Sequence, residues 1–145
     1  MARKTSKDKS KEQPVGALAR YFEAKLAAEW GPHDLKRRWE ADPKSVVILD
    51  VRDRDSYEKE HIKGAVNIPL PDLESRLKEL PRNKDLVTYC WSITCSLAPR
   101  AALILAKEGF RVHELVGGIG EWKQYNMPVV LGASRKPATE PALTN

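Results

Sequence analysis

The chain has 145 residues, 41% of them hydrophobic and 31% charged, with a net charge of +5, two cysteines and three histidines. That is enough for one domain with its own core, and no apolar run approaches the length needed to span a membrane. Two cysteines and three scattered histidines, His33, His61 and His113, lack the spacing of a zinc site, so no metal is expected.

Charge is concentrated at the ends. Residues 1–13 carry Arg3, Lys4, Lys7, Lys9 and Lys11 against Asp8 and Glu12, and residues 132–145 carry Arg135 and Lys136 against Glu140. Both ends lack the apolar content to pack and are expected as solvated, disordered tails. Contact with nucleic acid or a membrane through the basic tail is the weaker alternative, and neither partner is expected. The lysine-rich N-terminus has no apolar signal region, so a reducing, cytoplasmic setting is expected and a structural disulfide is not.

Between the tails the elements follow in order. Leu18, Tyr21, Phe22, Leu26 and Trp30 recur at helical spacing and predict a helix over 15–30, ended by Gly31-Pro32. A second helix is predicted from Asp34 to Ala41, with Leu35 and Trp39 on one side. The aromatics of both read as a packing face against the main domain, ahead of a ligand box. Val46-Val47-Ile48-Leu49-Asp50 predicts a strand buried on both faces, with Asp50 at its C-terminal end, where open α/β sheets place functional groups. A short helix over 55–60, a short strand over 65–68 and a helix from Pro71 carrying Leu73, Leu77 and Leu80 come next.

The strand over 86–90 delivers Cys90 to a loop, Trp91-Ser92-Ile93-Thr94-Cys95-Ser96, before a helix from Leu97 to Glu108 capped by Gly109. A strand over 111–116, a turn at Gly117-Gly118 and a helix over 119–125 with Trp122 complete the pattern. Alternating strands and helices predict an α/β fold, a central parallel sheet with helices on both faces. A thiol at a strand end, facing a helix N-terminus, meets free N–H groups and the positive end of the helix dipole. Both favour the thiolate and can hold an anion. Cys90 is therefore the candidate nucleophile. The competing readings are a small buried hydrophobe and, less favoured in a reducing setting, a Cys90–Cys95 disulfide.

In Asp50-Val51-Arg52, Tyr57, His61-Ile62-Lys63-Gly64-Ala65-Val66-Asn67-Ile68-Pro69, Tyr89-Cys90, Ala101-Ala102, Gly109-Phe110, Gly117-Gly118 and Trp122, the chain resembles a rhodanese-like domain. The resemblance covers roughly residues 34–131 and leaves the helical extension, 14–33, outside it, as in a bacterial single-domain subgroup. It implies a sulfurtransferase without a cofactor. Cys90 would attack the sulfane sulfur of thiosulfate or a persulfide, hold it as a persulfide, and pass it to a thiol or cyanide. The backbone of Trp91, Ser92, Ile93, Thr94, Cys95 and Ser96 would form the substrate-binding cradle. Asp50 and His61 read as structural hydrogen-bonding groups, and Gly64 and Gly117-Gly118 as turn glycines. Arg52 is a candidate anion contact, with an ion pair to Asp53, Asp55 or Glu58 as the equal alternative.

The loop departs from the common family pattern. Where that pattern has Gly and Arg, this chain has Ile93 and Cys95, and the interval from Cys90 to Gly109 is one residue longer. A lost charge-assisted contact costs about 1.5–3 kcal/mol, a roughly tenfold to hundredfold weakening of thiosulfate binding. Arg100, one turn further on, is the candidate replacement. Phosphatase and arsenate reductase relatives need Cys-x5-Arg to clamp an oxyanion, and Ser96 stands there instead, so both activities are disfavoured. Cys95 is a candidate resolving thiol, with core packing as its alternative. A carrier or redox-sensing module using Cys90 and Cys95, served by a protein sulfur acceptor or a thioredoxin-like reductant, is the second functional reading.

Overall fold

A computed structural model describes residues 14–132. The predicted tails, 1–13 and all but the first residue of 132–145, lie outside the described residues. The first helix, α1 (Val15–Ala28), stops two residues earlier than its apolar spacing predicts. Glu29 and Trp30 form a strand instead, β1 (Glu29–Trp30), whose Trp30 pairs with Leu115. The expected packing face on α1 is absent. None of its residues is buried, and Tyr21, Phe22 and Leu26 are exposed. Trp30 alone of that stripe enters the core, at 5% exposure, because it lies on the strand and not on the helix.

Helix α2 (Pro32–Ala41) starts one turn before Leu35, with Pro32 in its first turn, where a missing N–H is harmless. The Asp34 carboxylate accepts the Gly31 N–H at 3.2 Å and closes its N-terminus. Asp42 then caps a 3₁₀ turn that leads into β2 (Val46–Asp50). Asp53 caps α3 (Arg54–Lys59) through the Ser56 N–H, and β3 (Glu60–Ile62) and β4 (Val66–Asn67) follow. The helix expected from Pro71 is two 3₁₀ segments, Leu70–Asp72 and Glu74–Glu79. Its i,i+3 bonds make tighter turns, and Leu73 and Leu80 still reach the core. After β5 (Asp85–Tyr89) come α4 (Leu97–Lys107), β6 (Val112–Leu115), α5 (Gly118–Gln124) and β7 (Val129–Leu131). Gly109, at φ 84°, ends α4 in the left-handed conformation expected of it.

The central sheet has five strands in the order β1-β6-β5-β2-β4, every neighbouring pair parallel. Both faces are covered. Val46, Ile48, Val87 and Tyr89 point into one core with Leu35, Ile119 and Trp122, whereas Leu49 and Leu86 point into the other with Leu73, Ala101 and Leu105. This two-sided burial explains why β2 and β5 read as continuous apolar runs. A second sheet escaped the sequence reading. β3 and β7 pair antiparallel, His61 opposite Val130. Two three-residue strands are too short to show a period of two.

Candidate active site

Parallel pairing sets Leu49 opposite Thr88 and Asp50 opposite Tyr89, so the next residue, Cys90, leaves the sheet beside the end of β2. Thr88 Oγ1 donates to the Ala98 carbonyl at 2.9 Å and ties the strand to the first turn of α4. Between these points the loop folds into a turn closed by the Cys95 N–H on the Ser92 carbonyl at 3.1 Å. Ser92 and Thr94 hydroxyls share a hydrogen bond at 3.2 Å, Ile93 and Trp91 are exposed, and Ser96 caps α4 by position, without its side chain.

Cys90 is 2% exposed and packs with Ala98 and Ala101. Its thiol donates to the Cys95 carbonyl at 3.5 Å. The backbone N–H groups of Ala98 and Trp91 favour the thiolate, as a cradle requires, but they do not decide its ionisation. Burial, followed by the hydrogen bond to the Cys95 thiol, pushes the Cys90 pKa up to about 11. The expectation that the helix terminus favours the Cys90 thiolate is thus reversed, because desolvation outweighs the dipole at this depth. Burial also opposes ionisation of Cys95. There the hydrogen bond from Cys90 and the N–H groups of Trp91 and Leu97 prevail and lower its pKa. Of the two thiols, the half-buried Cys95 is the one whose ionisation is favoured.

The strand ends below the loop are held by a buried network. Asp50 accepts from the Arg52 backbone N–H at 3.0 Å, from Arg52 Nη2 at 2.7 Å and from the Tyr89 hydroxyl at 2.6 Å. Burial, reinforced by the Asp50 charge, pushes the Tyr89 pKa well above its ordinary value, so the phenol stays a donor. Tyr89 in turn accepts the Ile62 N–H, and Asn67 Nδ2 donates to the Asp50 and Arg52 carbonyls.

Arg52 differs from both readings of it. It is 1% exposed, paired with Asp50 rather than with Asp53, Asp55 or Glu58, and it donates also to the Glu60 carbonyl. Its guanidinium lies 4.4 Å from the centre of the Trp91 ring. With its charge neutralised and its face covered, it supports the loop and is not turned to an anion. The i,i+2 pairing with Asp50 crosses the end of a strand, which no periodicity reveals. Arg100 is exposed in the first turn of α4 and has no ion pair among the described residues. His61 has the structural role expected, with Nδ1 2.7 Å from the Tyr57 carbonyl and its ring stacked on Tyr57.

Gly118 contributes more than a turn. The first turn of α5 docks on the cysteine itself, with the Ile119 N–H on the Cys90 carbonyl at 3.0 Å and the Gly120 N–H on the Trp91 carbonyl at 2.9 Å. At Gly118, φ is +60° and a Cβ would stand 2.5 Å from the Cys90 carbonyl oxygen. Only glycine allows that approach. The paired glycines were the available signal, but sequence does not say which backbone they meet.

Comparison with known proteins adds the family. The model of the rhodanese-like domain matches residues 31–125. The chain is 41% identical over 100 residues to an HTH-type transcriptional regulator of Mycobacterium tuberculosis, covering 69% of this chain and 43% of the relative. It is 36% identical over 90 residues to a thiosulfate sulfurtransferase of Coxiella burnetii, covering 61% of this chain and 82% of the relative. A putative sulfur carrier protein of Bacillus subtilis is 40% identical over 88 residues, 60% of this chain and 46% of the relative. The chain thus spans under half of two of these relatives. A crystal structure of a Bacillus halodurans protein superposes with a TM-score of 0.74 at 34% identity, over 88% of this chain and 94% of that one. The parallel sheet, the cysteine loop at its C-terminal edge and the family match agree: the chain belongs to the rhodanese-like domain family.

Proposed function

We propose that the chain is a sulfurtransferase that moves a sulfane sulfur from thiosulfate or a small persulfide to a thiol or cyanide, through a persulfide on Cys90. Relatives named thiosulfate sulfurtransferase and sulfur carrier protein support sulfur transfer in general. The observation that carries the reading is Cys90 itself, the first residue after β5 and the start of the loop, where the Trp91 and Ala98 N–H groups favour its thiolate. The Cys90 thiolate attacks the outer sulfur of thiosulfate. A new S–S bond forms, the donor's S–S bond breaks, and sulfite leaves with the electron pair. An acceptor thiolate then attacks the sulfane sulfur and Cys90 departs as thiolate. The N–H groups stabilise charge on the cradle atoms in both steps. Arg100, exposed in the first turn of α4, is the cation offered for the anionic donor. Free thiols on both sides of the reaction suit the reducing cytoplasm.

A second reading, a persulfide carrier loaded by a protein partner, is favoured by one observation. Burial raises the Cys90 pKa and disfavours its thiolate at neutral pH, which slows attack on a free donor. Intact mass and sulfite release after incubation with thiosulfate test the proposal. The parent should release sulfite and take up one sulfur atom on Cys90, which a neighbouring or an added thiol then removes. Cys90→Ser should do neither while remaining folded. Equal sulfite release by Cys90→Ser, or neither sulfite release from thiosulfate nor sulfur uptake from polysulfide by the parent, would sink it. Loading without repeated turnover would favour the carrier.

A further inference from the structure

Two thiols occupy the loop, and persulfide chemistry at Cys90 uses only one. Cys95 stands where the common family loop has its cation, yet it does not simply fill the core. It is half-buried, packed at the edge of the core cluster that contains Cys90, and its carbonyl lies 3.5 Å from Cys90 Sγ. The turn closed by Cys95 N–H on Ser92 holds the two residues in this juxtaposition. Both are free thiols.

We infer that Cys95 is a further catalytic residue, which attacks the inner sulfur of the Cys90 persulfide and releases hydrosulfide, giving the domain a reductive activity toward sulfane sulfur. This rests on the proposed formation of the persulfide. In the step, a bond forms between Cys95 Sγ and Cys90 Sγ. The bond from Cys90 Sγ to the sulfane sulfur breaks, and its electron pair leaves with that sulfur as hydrosulfide. The sulfane sulfur is reduced and the two cysteines are oxidised to a disulfide. A dithiol reductant of the thioredoxin-like class restores both thiols by exchange and becomes a disulfide itself. The net reaction converts sulfane sulfur and a dithiol into hydrosulfide and a disulfide.

Two properties of the site direct attack to the inner sulfur. Cys95 is the member of the pair whose thiolate is favoured, so it is the attacking group. Attack on the outer sulfur would expel the Cys90 thiolate, whose conjugate acid has a pKa of about 11. Attack on the inner sulfur expels hydrosulfide, the weaker base, and the weaker base leaves faster. The absence of a cation at position 95 then has a chemical counterpart: binding of an anionic donor is weakened and a resolving thiol is gained.

The test loads full-length protein with thiosulfate, or with inorganic polysulfide, removes the donor, and follows intact mass, free-thiol count and hydrosulfide in the absence of any added thiol. The parent should lose the added sulfur, lose two hydrogens and both free thiols, and release hydrosulfide, and a small dithiol should return it to the reduced mass. Cys95→Ser and Cys95→Ala should keep the sulfur on Cys90 and release no hydrosulfide until a thiol is added. A stable persulfide in the parent with Cys95 still free overturns the inference but leaves the sulfurtransferase reading intact. So does hydrosulfide release by Cys95→Ser at the parental rate. No sulfite from thiosulfate in the parent, with no sulfur on Cys90 of Cys95→Ala from either donor, overturns both.

Discussion

The Asp50 carboxylate collects donors from Arg52 and Tyr89 without any exposure to water, and the network is charged, buried and mutually dependent. Removing one partner of such a pair leaves an uncompensated charge, at a cost of about 3–5 kcal/mol. Asp50→Asn keeps the shape but strands the Arg52 guanidinium beneath Trp91. Urea titration should show a loss of unfolding free energy in that range, and a loss under about 1 kcal/mol would mean that Arg52 finds another partner. The cysteine pair makes a pH prediction. The reacting species is the thiolate, and the folded pKa of Cys90 is raised, so its reactivity is low at neutral pH and climbs as pH rises toward about 11. Alkylation of Cys90, resolved by peptide mass, should therefore still be rising above the ordinary thiol value of about 8.5. In Cys95→Ala the contribution of burial stays but the hydrogen bond and charge of Cys95 disappear, and the profile should move to lower pH. A parental plateau at the ordinary thiol value would contradict the placement of Cys90.

The apolar stripe that runs from Leu18 to Trp30 divides between two elements with opposite fates. On α1, Leu26 is 79% exposed, and the helix presents its apolar residues to solvent. Two residues beyond its end, Trp30 is paired with Leu115, stacked on His113 at 4.0 Å between ring centres, and covered by Arg38. Trp30→Ala removes a packed indole and should cost about 3–5 kcal/mol. Leu26→Ala should change stability by no more than about 0.5 kcal/mol. Chemical denaturation of the two variants side by side checks both, and equal losses would mean that α1 packs on the domain after all.

At the scale of the whole molecule, the chain is closed by a segment that lies past the family match. Met127 is buried, the Pro128 carbonyl accepts from Trp122 Nε1 at 2.8 Å and from the Lys63 N–H at 3.2 Å, and β7 completes the second sheet against β3. Ending the chain after Asn126 keeps every residue of the matched span, 31–125, but removes all of these. Such a truncation should lose at least about 3 kcal/mol or its cooperative transition, because a buried methionine alone is worth roughly 2–5 kcal/mol. Parental stability in the truncated chain would show that β3 and β7 do not brace the core.

The sequence by itself determined the α/β class, the order of the main strands and helices, and the cysteine at a strand end. Those features are local: apolar runs of β-branched residues, helical spacing, Gly109 after one helix and Gly31-Pro32 as the break after another are each read within a few residues. Tertiary structure decided the rest. The burial of Arg52 depends on Tyr89, the strand partner of Asp50, and on Trp91, both far along the chain from it. The close approach of Gly118 to Cys90 joins positions 28 residues apart through the packing of α5 on the loop. The ionisation of Cys90 followed the same rule. A helix terminus was legible beside it, but the depth of burial that outweighs that terminus is set by the packing of Ala98 and Ala101, and desolvation is a property of the assembled core.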